Sequence, residues 1–228
     1  MVKERDAKPM DLANMDIKQL REISRQAAIL AKEKEPPKIS RKLPKVLTPD
    51  QVDKLLSVIP NTNKGKRQRA IVMVMLGCGL RVSEVCNLTR ADYNHDRHTL
   101  YIQMSKGDRD RFVPMNKTVE GCIEDWLSVA PDSKWLFCSW KGTQAISRNV
   151  NQMVHDISKA ANVWLQDGAD KKPVHPHALR HTYATEMMNK GLNLEEIRQL
   201  LGHAFISTTQ IYLSVSINDL ISKVRRLD

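Results

Sequence analysis

Two segments favouring β-structure, "HTLYIQM" (98–104) and "DRFVPM" (110–115), flank "SKGDR" in a chain whose other segments carry helical signals. Gly107 and Asp108 suit a tight turn, so the pair predicts an antiparallel hairpin in the middle of a helical chain. "KWLFCSW" (134–140) reads as a further short strand. From Thr118 onward the remainder reads as helices, with a loop at "QDGADKKP" (166–173). The expected fold class is therefore mainly α with a small antiparallel β-sheet, an α+β arrangement.

Helix punctuation sets the domain boundaries. In "DIKQLREISRQAAILAKEKE" (16–35), Ile17, Leu20, Ile23, Ala27 and Leu30 follow the spacing of one apolar face. "EPPKISRKLPK" then breaks the helix with prolines and a basic cluster, and reads as an extended linker. Thr48 stands three residues before Gln51 in "TPDQVDKLLSVI", a capping-box start with Pro49 early in the helix. The expected division is 1–45, a helix with a basic linker, and 46–228, one folded domain. The 41% hydrophobic content can fill one good-sized core.

Charge narrows the partners. The chain has 36 Lys and Arg against 26 Asp and Glu, a formal +10, which favours a polyanion: nucleic acid first, an acidic membrane surface second. No apolar run approaches the ~20 residues of a membrane-spanning helix. A surface-binding helix rich in Lys and Arg with large apolar residues is also missing. Cys78, Cys86, Cys122 and Cys138 form no CxxC pair and read as reduced, buried thiols of a cytosolic protein.

"HPHALRHTYAT" (175–185) concentrates the chemistry. Pro176 belongs in a first helical turn, which makes His177 and Arg180 i,i+3 neighbours near a helix N-terminus, a natural place for a phosphate. His175, His177 and His181 could instead hold a metal. Against that, His175 precedes the helix, Arg180 would repel a cation, and no acidic or cysteine cluster adds ligands. Plain helix-capping histidines are the third reading. "NLEEIRQLLGH" follows, with Asn193 and Glu196 as a capping box, Gly202 as stop and His203 directly after it. Arg81 begins "RVSEVCNLT" with Glu84 one turn on, either a surface ion pair or a second phosphate-binding guanidinium oriented by a carboxylate. Lys106 sits at the hairpin tip and Tyr212 in the second turn of "ISTTQIYLSV"; taken singly, each reads as a turn lysine and a core tyrosine.

Taken together, Arg81, Lys106, His177, Arg180, His203 and Tyr212 resemble the tyrosine recombinases, the phage integrase and Xer family. "GLRVSEVCNL", "PHALRHTYAT" and "LLGHAFISTTQIY" each look like a family box, in the family's order, and the resemblance runs from about Leu43 to Val215. It implies the tyrosine recombinase catalytic fold and a site-specific recombinase working through a 3′-phosphotyrosyl link and a Holliday junction. By the same resemblance Tyr212 is the nucleophile, and Arg81, Arg180 and His203 hold the phosphate. His177 assists proton transfer, Lys106 is the general acid and Glu84 orients the site. No metal, ATP or other cofactor is implied.

The implied partner is double-stranded DNA carrying a specific recombination site, with self-assembly on DNA, expected to be a tetramer, and room for accessory DNA-bending proteins. The implied location is the cytoplasm, at the nucleoid when DNA is bound. Leu220, Ile221, Val224 and Leu227 form a tail stripe that in the family packs on a neighbouring protomer. Residues 1–45 are too few for the four-helix clamp domain many members carry, so they are expected to be a truncated or vestigial core-binding region. Two rivals are a type IB topoisomerase-like nicking and resealing enzyme and a non-catalytic helix-turn-helix regulator, for which "NLEEIRQLLGHAFISTTQIYLSV" supplies the outline.

Overall fold

The computed structural model describes residues 45–103, 110–167 and 170–202, together with Arg25, which is helical. Lys106, His203, Tyr212, the tail stripe and all of the predicted first helix except Arg25 lie outside the described residues.

The chain enters through Leu47, whose N–H donates to Thr182 Oγ1 at 2.9 Å. Helix α1 (Pro49–Ser57) starts at the predicted capping box, Thr48 with Gln51. Helix α2 (Asn63–Cys78) then runs through the core. It buries Ala70, Ile71, Val72, Val74, Met75, Leu76 and Cys78, too many sides for an amphipathic surface helix. The reason is that α4 (Lys117–Leu127) and α6 (Pro176–Asn189) both pack against it. Helix α3 (Val82–Asn87) follows the α2 stop, and a 3₁₀ turn (Arg90–Asp92) leads into the sheet.

The predicted hairpin is present as β2 (Thr99–Ile102) and β3 (Arg111–Pro114), antiparallel, with Leu100 opposite Val113 and Ile102 opposite Arg111. Its third strand is β1 (Tyr93–Asn94), paired with β2. The 134–140 segment is not a strand of that sheet. Its residues make isolated bridges, Thr89 to Trp135 and Cys138 to Gln144, because the segment crosses the core, where Leu136 and Phe137 are wholly buried. The Leu136 carbonyl accepts from Trp126 Nε1 at 2.8 Å.

Helix α5 (Ser147–Ala160) buries Val150, Val154 and Ile157. After it, the expected loop at 166–173 is a second antiparallel pair, β4 (Trp164–Asp167) with β5 (Asp170–Pro173). The polar composition and the glycine between the two runs masked the strands in the sequence. Buried Ser158 holds this pair to α5: its hydroxyl donates to the Val163 carbonyl and accepts from Val174 N–H at 2.8 Å. That clamp fixes the chain two residues before α6 begins. Helix α7 (Leu194–Leu201) packs on α6 and on β3, with Ile197 and Leu201 buried. Its capping box, Asn193 with Glu196, and its stop at Gly202 are as the sequence predicts. Cys78, Cys86 and Cys138 are buried and none is paired; burial pushes the Cys78 thiol up to about 12.

Candidate active site

The site is assembled where the end of α2, the start of α3, strand β3, helix α6 and the end of α7 meet. Helix α2 ends in the left-handed conformation at Gly79 (φ 65°), and a Cβ there would stand 2.3 Å from the Tyr183 ring. Only glycine allows both that turn and that approach. Two residues later Arg81 occupies the N-cap of α3. Its backbone N–H donates to Glu84 Oε2 at 2.7 Å, and its Nη1 donates to Glu84 Oε1 at 3.1 Å. A bare intrahelical pair would stop there.

Here the same carboxylate carries more. Arg111, pointing inward from β3, donates through both Nη atoms to the two Glu84 oxygens, each at 3.0 Å. Arg180, from the second turn of α6, brings its Nη1 to 3.6 Å from Glu84 Oε2. Three guanidinium groups thus converge on one carboxylate. Arg111, Arg180 and Glu84 expose 7%, 4% and 7% of their side chains, and Arg81 exposes 30%. A bidentate, largely desolvated pair of this kind is rigid as well as charged.

The arginines also hold the end of α7. Arg111 Nε donates to the Leu200 carbonyl at 2.8 Å and Arg180 Nη2 to the Leu201 carbonyl at 2.7 Å, while Arg180 Nη1 reaches the Gly79 carbonyl at 2.7 Å. The last carbonyls of a helix lack internal partners and carry partial negative charge, so cations suit them. Gly202 (φ 65°) ends α7 against Arg111: a Cβ there would come within 2.7 Å of Arg111 Nη1. The next residue in the chain is His203.

Burial of Glu84 pushes its pKa up, but the hydrogen bonds and charge of Arg111, the Arg81 N–H and the Arg180 charge outweigh it. The carboxyl stays below its ordinary value. His177, exposed on the first turn of α6, is held below its usual value by partial burial and by the charges of Arg180 and Arg81. The shift favours the neutral ring, the form able to accept a proton. His175 caps α6, its Nδ1 accepting from Ala178 N–H at 3.3 Å. His181 is pushed down to about 4 by burial and by its histidine and arginine neighbours.

The His181 shift has a testable consequence. The folded chain keeps His181 neutral while the unfolded chain protonates it near 6.5, so unfolding takes up a proton between these values. Stability is fully present above about pH 6.5 and falls as pH drops toward 4, with a slope approaching about 1.4 kcal/mol per pH unit. Urea titrations of wild type and His181→Gln across this range should show the slope in the first and its loss in the second. Equal slopes would show that other groups set the acid limit.

The structure therefore brings together Arg81, Glu84, His177 and Arg180 of the residues expected from sequence; Lys106, His203 and Tyr212 are outside the described residues. It adds Arg111, which the sequence reading took only as part of a strand. The missed signal was alternation: with Val113 inward, period two puts Arg111 on the same buried face.

Comparison with known proteins places the chain and its fold. The phage integrase family model matches residues 45–218. Tyrosine recombinase XerA of Thermococcus kodakarensis is 39% identical over 189 residues, covering 81% of this chain and 63% of its own. Tyrosine recombinase XerC of Salmonella typhi is 36% identical over 190 residues, covering 82% and 61%. The chain thus spans a little over three fifths of the length of these curated relatives. The crystal structure of XerA recombinase superposes with a TM-score of 0.69 at 29% identity, covering 83% of this chain and 66% of that one. A lambda integrase (75–356) dimer bound to a COC′ core site shares the fold at a TM-score of 0.62 and 17% identity, over 86% and 70%. With the mainly helical domain, its small antiparallel sheets and a match over most of its length, the chain belongs to the phage integrase family.

Proposed function

We propose that the chain is a tyrosine-type site-specific DNA recombinase that cuts and rejoins strands through a 3′-phosphotyrosyl intermediate. The observation that carries this reading is the convergence of Arg81, Arg111 and Arg180 on Glu84 beside a neutral His177. Attack on a phosphodiester builds negative charge on its non-bridging oxygens, and fixed guanidinium groups stabilise that charge without reorganising. Arg81 and Arg180 hold the phosphate, with His203 as a further donor. Glu84 orients the arginines, and Arg111 positions Glu84 and the end of α7. Tyr212 attacks phosphorus as its phenolic proton leaves with the help of His177. The bond to the 5′ oxygen breaks, and Lys106 protonates that leaving group.

The phosphotyrosyl bond keeps the energy of the phosphodiester, so a 5′ hydroxyl of a partner strand can attack it and regenerate Tyr212. Two such exchanges pass through a Holliday junction. Tyr183 is the wrong tyrosine for this role: it packs against Gly79 in the core, and burial pushes its phenol up to about 12. The proposed partner is duplex DNA bearing a recombination site, on which the chain assembles as a tetramer through its tail stripe, in the cytoplasm. Accessory DNA-bending proteins would join where the site requires bending. Among the described residues no helix is long and apolar enough to cross a membrane.

The test uses suicide duplexes carrying the site recovered by binding selection from random-sequence DNA. Wild type should form a covalent adduct in EDTA without ATP, and Arg180→Ala should slow it by about 10²–10³-fold. A 5′-phosphorothiolate, whose sulfur leaves without a proton, should rescue Lys106→Ala more than Arg180→Ala. Absence of any adduct from wild type would remove the recombinase and topoisomerase readings together and leave the regulator. Relaxation of supercoiled DNA without strand exchange would favour the topoisomerase.

A further inference from the structure

Away from the guanidinium cluster, a pocket of about 290 Å³ lies between the start of α2 and the first turns of α5, lined by Lys64, Arg67, Asn149, Gln152 and Asp156 among others. It shares no lining residue with Arg81, Glu84, Arg111, His177 or Arg180. Arg67 is its unexplained member. The guanidinium is half-buried, and its Nε is fully buried with no hydrogen-bond partner among the described residues. No described carboxylate pairs with it. The pocket's own acid, Asp156, is engaged by Gln152 Nε2 at 2.8 Å. Burial disfavours the Arg67 charge, and the neighbours that offset this are the thiols of Cys138 and Cys86 rather than an anion.

A buried N–H donor without a partner costs stability, so an arginine that keeps one at a pocket wall points to a use for the rest of its guanidinium outside the fold. Among the described residues, Arg111 and Arg180 bind Glu84, and Arg69 Nη2 donates to the Leu56 and Ile59 carbonyls. Arg90 also has a buried Nε without a partner, but its Nη2 donates to the Pro131 carbonyl at 2.6 Å. Lys64 adds a second cation one turn from Arg67 on α2. Asn149 and Gln152 add neutral polar groups from α5.

We propose that Lys64, Arg67, Asn149 and Gln152 form a second phosphate-binding subsite that holds a non-scissile backbone phosphate of duplex DNA. The inference rests on the DNA-binding part of the function proposed above and extends it to a different face of the domain's residues. The chain's +10 charge favours a polyanion as the source of that phosphate over a free ion. A backbone contact of this kind fixes register without reading sequence.

The test is equilibrium binding of the full chain to a mixed-sequence duplex of about 30 base pairs over a range of KCl concentrations, with melting temperatures measured alongside. Arg67→Met should weaken binding by about tenfold and reduce the salt slope by about 1, while its melting temperature stays level or rises. Asp156→Asn, which removes the one carboxylate of the pocket, should tighten binding. Unchanged affinity and slope in Arg67→Met would overturn the subsite. So would a clear fall in its melting temperature together with unchanged binding by Asp156→Asn, which would make Arg67 a packing residue. If inorganic phosphate at matched ionic strength stabilises wild type but not Arg67→Met, and both bind the duplex equally, the pocket takes free phosphate and the nucleic-acid assignment is wrong. A wild type that binds no duplex sinks the DNA reading as a whole; a wild type that binds and a variant that matches it sinks only the subsite.

Discussion

Tyr212→Phe should bind its duplex as wild type does and yield no covalent adduct on a suicide substrate. The substitution removes only the phenolic hydroxyl, so binding should be untouched while the atom proposed to attack is gone. The loss should be complete rather than partial, because water is not activated to replace a positioned nucleophile. Denaturing gels of enzyme with labelled duplex give the adduct, and gel shifts of the same samples give the binding. Adduct at wild-type levels in the Phe variant would take the nucleophile's role from Tyr212. Loss of both binding and adduct would make Tyr212 a folding residue. Arg81 and Arg180 lie in the described part of the domain, so their variants test the same chemistry from the phosphate side.

Glu84→Ala should be the most destabilising single change in the site. It leaves Arg111 and Arg180, with 7% and 4% of their side chains exposed, facing each other without the carboxylate that joins them. Breaking a buried pair from one side costs about 3–5 kcal/mol, because the charge left behind cannot recover its water. Denaturant melts of the full chain check the value. The double variant Glu84→Met with Arg111→Met should regain part of that stability, since the bidentate pair leaves together while Arg180 keeps its bonds to the Gly79 and Leu201 carbonyls, yet remain inactive. Recovery of activity in the double variant would show that Glu84 does not orient Arg81 and Arg180.

The pH behaviour follows the same carboxylate. With its folded value below the unfolded one, Glu84 contributes stability that is present above the ordinary carboxylate range and is lost as pH falls through the folded value. Wild type should therefore begin to lose stability at His181 on acidification and go on losing it at Glu84 as pH falls below the ordinary carboxylate range.

Local signals were legible in the sequence wherever they were written within a few neighbouring residues. The Thr48–Gln51 and Asn193–Glu196 boxes, the Gly202 stop, and the start of α6 at Pro176 all stand where the spacing put them. The β2–β3 pairing was legible because β-favouring residues flank a turn. The β4–β5 pair was not, because Asp, Lys and Pro dominate its second strand and its stability comes from the Ser158 clamp rather than from propensity. The 134–140 segment carries strand-like residues because its centre, Leu136 to Cys138, is buried, which is a different cause for the same composition.

The sequence by itself determined the family boxes, the basic charge, the helical stops and the pairing of Arg81 with Glu84 one turn apart. Only the tertiary structure decided that Glu84 is shared. Arg111 and Arg180 are 27 and 96 positions from it in the chain, and no periodicity links a strand residue to a helix residue at such separations. Their meeting depends on β3 and α6 bringing Arg111 and Arg180 to the Glu84 carboxylate and on α7 ending where two guanidinium groups can hold its carbonyls. A buried carboxylate is stable only with several partners that satisfy it together, and those partners can be supplied from distant elements only once the core has formed.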